Sequence, residues 1–212
     1  MTENARTAGA PGLRGRGTSA LVIEVPEAED LVGPFRRRYD PVAPLGMPAH
    51  ITVLFPFVDV EEITEELLAD LWELYSKIPR FTFTLPRLGQ FSDVLFLVPE
   101  PREPLDHLTD VTRERYPEHP PYGGAVKSPD PHLTIAHAED PAELARICEE
   151  VEALMSEHII EVQAREVALM THEEGKWRRR QVFPLSEAPA PTGDTPRVSE
   201  GDESDEDEET DG

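Results

Sequence analysis

Two tetrapeptides in this 212-residue chain carry side chains able to do phosphate chemistry, His50-Ile51-Thr52-Val53 and His132-Leu133-Thr134-Ile135. In an extended strand residues i and i+2 point to one face. His50 therefore projects with Thr52, and His132 with Thr134, while the aliphatic residues between them turn inward. Imidazoles exchange protons near neutral pH, and threonine hydroxyls donate hydrogen bonds to non-bridging phosphate oxygens. In-line displacement at phosphorus needs a base on the entering oxygen and an acid on the departing one. Two histidines facing each other across a groove meet that need without a metal. A single His-x-Thr is weak, because an ordinary strand with a polar face shows the same pattern. Two copies, each flanked by apolar residues and each at a strand start, are far more specific. As a competing metal site the sequence offers little. No His-x3-His, His-Glu-x2-His or cysteine pair occurs, and Asp130 and Asp140 do not complete a ligand set beside the second motif. No metal and no other cofactor is expected.

The elements that must position these residues alternate along the chain. Residues 19–25 form an apolar run that stops at Pro26, as a buried strand does. Residues 26–39 have the acidic-first, basic-last charge order of a helix, although Pro34 argues against an uninterrupted one. A strand over 50–55 is closed by Pro56. An amphipathic helix over 60–78 carries Ile63, Leu67, Leu71, Leu74 and Ile78 at helical spacing. Residues 81–85 and 93–98 read as a strand pair. A helix over 103–115, a Pro/Gly loop over 117–124 and a strand over 132–136 follow. Asp140 caps a helix that runs to about Met155, with Pro141 at its first position. Residues 159–167 and 176–185 supply the last strands, the final hairpin turning at Glu173-Glu174-Gly175. This is two copies of a strand–helix–strand–strand unit, each with one His-x-Thr near a strand start. The expected fold is α+β and bilobal, its units related by a pseudo-twofold around a central cleft.

Charge narrows the partners. The chain carries a net −23. Residues 194–212 hold ten acidic residues against Arg197 alone, so −14 remains for everything before them. An acidic body repels long duplex nucleic acid, which leaves a small nucleotide or an RNA terminus as ligand. Positive charge is gathered at Arg36-Arg37-Arg38 and at Lys176 with Arg178-Arg179-Arg180, which solvated surface charge explains equally well. Residues 1–18 read as a flexible arm, 19–186 as the folded body and 187–212 as a disordered acidic tail. No apolar run approaches the roughly 18 residues of a membrane span, and the N-terminal stretch lacks the apolar core of a signal peptide. Cys148, the single cysteine, fits an inert buried helix position in a reducing cytoplasm. A monomer is expected.

The stretches Gly46-Met-Pro-Ala-His-Ile-Thr-Val-Leu-Phe-Pro-Phe57 and Pro131-His-Leu-Thr-Ile-Ala-His137 resemble the paired signatures of the two-histidine phosphoesterase superfamily. The bacterial 2'-5' RNA ligase and RNA 2',3'-cyclic phosphodiesterase branch is the best match. Pro120-Pro-Tyr-Gly-Gly124 and the closing hairpin, from Glu166-Val-Ala-Leu-Met170 to Trp177 and Phe183-Pro184-Leu185, extend the likeness. The resemblance implies antiparallel sheets around the cleft and opening of a 2',3'-cyclic phosphate to a 2'-phosphate. His50 would be the acid, His132 the base, and Thr52 and Thr134 the phosphate holders. The residues alone leave the acid and base roles open, because a pseudo-symmetric site can run either way. A 2'-5' RNA ligase could use the same site, and a non-catalytic nucleotide- or RNA-end-binding module is the rival of another class. Phe55 and Tyr122 are candidates to stack on a base, against a core role for Phe55 and a loop-anchor role for Tyr122. Strand alternation points His137 away from the cleft, and His172 reads as a residue of the rim or of the exposed surface.

Overall fold

The computed structural model describes residues 17–125, 129–156 and 158–187. Apart from Gly17, Thr18 and Glu187, the expected arm and acidic tail lie outside these residues. The strands are β1 (Thr18–Glu24), β2 (His50–Leu54), β3 (Phe81–Phe91), β4 (Val94–Glu100), β5 (Leu133–His137), β6 (Ile160–Ala164), β7 (Glu166–Glu173) and β8 (Lys176–Pro184). The helices are α1 (Glu29–Tyr39), α2 (Glu65–Tyr75), α3 (Glu103–Arg115) and α4 (Pro141–Met155). Two antiparallel four-stranded sheets result, in the orders β2-β1-β7-β8 and β5-β4-β3-β6. Helix α3 packs on β2 and α2 on β8, whereas α1 packs on β5 and α4 on β3, β4 and β5. Each motif strand is thus the edge of its sheet, and β2 and β5 lie beside each other. This is the α+β bilobal arrangement the repeat implies, with one refinement. The halves exchange elements: α1 leaves the first sheet to cover the second, and α3 does the reverse.

Local chemistry explains most element boundaries. Thr64 caps α2 by accepting from the Leu67 N–H at 3.2 Å, and Asp140 caps α4 by accepting from Ala142 at 2.9 Å. The helix expected over 60–78 is broken by the first of these caps. Asp59 and Glu62 form a capping box around a short 3-10 turn, Val60–Glu62, and the α-helix begins afresh after Thr64. Pro34, by contrast, sits within a continuous α1. Gly33 precedes it, so there is no Cβ to clash with the proline ring. The single strand expected over 159–167 proves to be two strands parted at Arg165, with β6 paired to β3 and β7 to β1. The chain crosses between the lobes there, where Arg165 and Glu166, both exposed, interrupt the alternation of buried Ile160, Val162 and Ala164 with exposed Glu161 and Gln163.

The repeat extends to register. Thr52 lies opposite Val22 and Leu54 opposite Leu21, so Val53 is an extra residue in β2. In the other sheet Thr134 lies opposite Phe96 and Ala136 opposite Leu95, so Ile135 is the extra residue in β5. Each motif strand therefore carries a β-bulge at the fourth residue of its motif. Val53 with Leu54, and Ile135 with Ala136, are consequently consecutive residues buried in one continuous core.

Candidate active site

Both motifs show the same alternation of burial. His50 and Thr52 are half-buried around a buried Ile51, and His132 and Thr134 around a buried Leu133. Each imidazole is anchored identically, by the backbone carbonyl two residues before it. His50 Nδ1 lies 2.8 Å from the Pro48 carbonyl, and His132 Nδ1 lies 2.7 Å from that of Asp130. A carbonyl only accepts, so Nδ1 carries the proton in each ring. Nε2 is left without a hydrogen bond among the described residues, a bare acceptor when the ring is neutral and a donor when it is charged. The Thr52 and Thr134 hydroxyls likewise bond to no described residue. Four groups are thus free for a ligand, one pair from each lobe.

The segment leading into His50 is held by α1. Ala49 N–H donates to Glu29 Oε1 at 2.7 Å. Arg36 donates to the Pro48 carbonyl at 2.9 Å and to that of Met47 at 3.2 Å. Arg36 therefore shares with His50 the carbonyl that orients the imidazole. Only 1% exposed, it pairs with Asp40 at 3.0 Å. Burial pushes the guanidinium down and the Asp40 carboxyl up, and in each case the partner's charge opposes the shift. Burial also takes the His50 imidazole down to about 4, the Arg36 charge adding to the effect and the Pro48 carbonyl countering it. Burial lowers His132 too, against the Asp130 carbonyl. On that side Arg102 donates to Asp130 Oδ1 at 2.8 Å, bracing the residue whose carbonyl holds His132. Neither arginine stood out in the sequence as a support of the site. For Arg36 a signal was present: it falls one helical turn after buried Val32 and one before Asp40.

The bulges correct two expectations. An extra residue at Val53 returns Phe55 to the cleft face, where it packs with a small cluster that includes Ala20, Val22, Met170 and Trp177, apart from the main core. Phe55 is therefore half-exposed beside the motif. Its ring meets Tyr122 edge-on at 6.5 Å and Trp177 at 6.1 Å. Tyr122 adopts a left-handed backbone (φ 51°), and its N–H donates to the Phe55 carbonyl at 2.7 Å. A crevice brings Thr52, Phe55, Thr109, Tyr122, Asp130 and His132 together, with His50 and Thr134 outside it. The second correction concerns His137. It pairs with Val94, two residues from the Phe96 that opposes Thr134, so the Ile135 bulge sets it on the cleft face. His137 is exposed there.

Other expectations fall into place more simply. His172 is half-buried against Trp177, ring centroids 5.1 Å apart, rather than exposed. Arg179 reaches Glu24 at 3.1 Å, and Arg37, Arg38, Arg178 and Arg180 are exposed. Cys148 is half-buried on α4, its thiol pushed up by burial and by Glu152. Among the described residues no three His, Cys, Asp or Glu side chains are grouped as a metal ion requires. None of the described helices is long and apolar enough to cross a membrane.

An edge-paired α+β fold with two mirrored His/Thr pairs defines a class, and comparison with known proteins agrees. The family model of the 2'-5' RNA ligase superfamily matches residues 24–176, and the chain belongs to that family. GK0864 of Geobacillus kaustophilus strain HTA426, a protein assigned to the phosphoesterases, is 26% identical over 171 residues, which cover 77% of this chain and 93% of that one. A phosphoesterase-assigned protein of Bacillus cytotoxicus, Bcer98_0945, is 31% identical over 123 residues, 56% of this chain and 68% of its own. The fold is shared with TT0787 of Thermus thermophilus (TM-score 0.51, 18% identity, 81% of this chain and all of that one). It is shared also with E. coli LigT crystallised with 3'-AMP (TM-score 0.53, 18% identity, 81% and 99%).

Proposed function

We propose that this chain is a metal-independent cyclic phosphodiesterase that hydrolyses 2',3'-cyclic phosphates of nucleotides or RNA ends to 2'-phosphates. The observation that carries the reading is the matched anchoring of the two imidazoles, each with Nδ1 committed to a carbonyl and Nε2 free, each beside a free threonine hydroxyl. Binding alone has no need of two titratable groups set in one tautomer; proton transfer in both directions does. Water adds to phosphorus as its proton passes to one Nε2. The P–O3' bond breaks as the other Nε2 delivers a proton to O3', and a 2'-phosphomonoester with a free 3'-hydroxyl leaves. Thr52 and Thr134 hold the non-bridging oxygens. Following the family resemblance, His132 is the base and His50 the acid. With His50 held neutral in the empty cleft, the negative charge of the bound phosphate draws in the proton it needs. Phe55 and Tyr122 flank the nucleoside. A ligase differs only in the nucleophile, a 5'-hydroxyl in place of water. The crystallisation of E. coli LigT with 3'-AMP supports a nucleotide-sized ligand, and the lone Cys148 suits a reducing cytoplasm.

The test is a panel of 2',3'-cyclic nucleotides and cyclic-ended oligoribonucleotides, with 2'- and 3'-phosphate products resolved. Turnover to 2'-phosphates that survives EDTA, and that drops by about two to four orders of magnitude in His50→Ala and in His132→Ala, is expected. A folded protein inert on the whole panel ends the catalytic reading in favour of a binding module, and loss of activity with EDTA ends the metal-independent one. A substrate with a 4-nitrophenolate leaving group assigns the roles, because it rescues only the variant that lacks the acid.

A further inference from the structure

We propose that the acidic segment 202–209 of this chain docks on the basic edge strand β8, occupying a surface that longer phosphate strands must then clear to approach the cleft. The inference stands apart from the chemistry proposed above. β8 is the outer strand of the first sheet and carries Lys176, Arg178, Arg179 and Arg180, all exposed. In an acidic body most cations find a carboxylate. Among the described residues the Lys and Arg side chains without one are Arg37, Arg38, Arg165, Lys176, Arg178 and Arg180. Lys176, Arg178 and Arg180 all belong to β8. Along the strand, Glu24 engages Arg179 at 3.1 Å, and Lys176 donates to the Pro44 carbonyl at 3.3 Å. Arg178 lies opposite buried Thr171. Arg180 is an extra residue between Arg179, opposite Met170, and Gln181, opposite Leu169. That β-bulge and the run of charges discourage a further strand from adding to the edge. What suits the strip is an anionic segment bound through its side chains.

The chain carries such a segment. Every residue of 202–209 except Ser204 is Asp or Glu. Its tether starts close by, since Ser186 follows β8 by two residues and its N–H donates to the Ile78 carbonyl at 2.8 Å. Arg180 lies six residues back from Ser186, about 20 Å of extended strand. The sixteen residues from Ser186 to Asp202 can span at most about 55 Å, so the segment reaches the strip with length to spare. Tethering presents it at an effective concentration on the order of millimolar, which compensates for ion pairs that are individually weak at a surface. β8 stands three strand spacings, about 14 Å, from β2 and its His50. A single nucleotide at the histidines stops short of the strip. An oligonucleotide has further phosphates that compete with the acidic segment for it.

Carbodiimide coupling of the full chain, which joins lysine to carboxylate with no spacer, tests the docking directly once the coupled peptides are mapped. Lys77 is the control, because it adjoins the Ile78 that holds Ser186 and so lies nearer the start of the tether. Lys176 should couple to residues 202–209 at low salt. That yield should fall at least about threefold at roughly 0.5 M NaCl and in the Arg178→Gln/Arg180→Gln double variant, with coupling at Lys77 unchanged. Coupling at Lys77 alone, or coupling at Lys176 that ignores both changes, overturns the proposal. Binding of a labelled oligoribonucleotide with a 3'-phosphate reads the consequence without depending on turnover. Changing Asp to Asn and Glu to Gln throughout 202–209 should tighten it about three- to tenfold at low salt. With Arg178→Gln and Arg180→Gln also present the gain should shrink to within about twofold, and 3'-AMP affinity should stay within about twofold throughout. No gain, or an equal gain with and without the two arginines, would mean that the segment does not act through β8, and the proposal falls.

Discussion

Replacing Arg36 with methionine should cost far more than a surface arginine would. The guanidinium is 1% exposed and supplies the cation for Asp40, itself 3% exposed, and two donors for the carbonyls of residues 47 and 48. Removing one partner of a buried ion pair strands the other charge, at about 3–5 kcal/mol. For a domain of this size that is a fall in Tm of roughly 6–20 °C. The loss should depend on pH, with a definite sign. Burial already holds the Asp40 carboxyl above its ordinary value and Arg36 pulls it back, so without Arg36 it rises further. Below the unfolded-state value the carboxyl is neutral in both states and adds no penalty. As pH climbs from there to the raised folded value the penalty accumulates, and above it the penalty is complete. Thermal melts of Arg36→Met should therefore show a larger deficit at pH 7 than at pH 4. Adding Asp40→Asn should recover most of it at pH 7, because Asn keeps the oxygen that accepts from Val42. A deficit below about 1 kcal/mol at pH 7, one that ignores pH, or a double variant no better than the single would refute this account. In protein that stays folded, the alkaline limb of the kcat/KM profile should also move up, as His50, the acid, loses the neighbouring positive charge.

Two further outcomes follow from the same geometry. With both imidazoles lowered by burial, and His50 at about 4, the kcat/KM bell for the free enzyme should be centred on the acid side of neutral. It should fall about tenfold per pH unit on its alkaline limb, and an optimum at about pH 7.5 or above would contradict the burial of the site. Gly46 has φ 100°, and a Cβ there would come within 2.8 Å of the Trp177 carbonyl. Gly46→Ala should lower stability by about 1–3 kcal/mol, measurable by urea unfolding, and a neutral result would show that the loop before Met47 can be rebuilt cheaply.

The core of the site was legible because it depends on local rules. Period-two alternation pairs His50 with Thr52 and His132 with Thr134 whatever surrounds them, and the Asp140-Pro141 cap and the hairpin turn at Gly175 are equally local. What escaped depends on partners distant in sequence. Phe55 and His137 change face because Val53 and Ile135 bulge against β1 and β4, which no alternation within the motif strand reveals. Arg36 looked like one of three surface arginines, since its role comes from Met47, Pro48 and Asp40 closing around it. The split at Arg165 showed locally only as two consecutive exposed charges, Arg165 and Glu166, and which sheet each strand joins depends on β3 and β1, distant in sequence.

The exchange of elements between the lobes has a consequence for how the protein comes apart. A chain cut within residues 125–129 would leave β1 to β4 on one fragment and β5 to β8 on the other, so neither fragment would own a whole sheet. The two fragments should reassociate into one body, and neither should be stable by itself. For the intact chain this means one cooperative unfolding transition. It also means that the spacing of the two histidines is fixed by a shared interior, with no single linker about which the halves could swing.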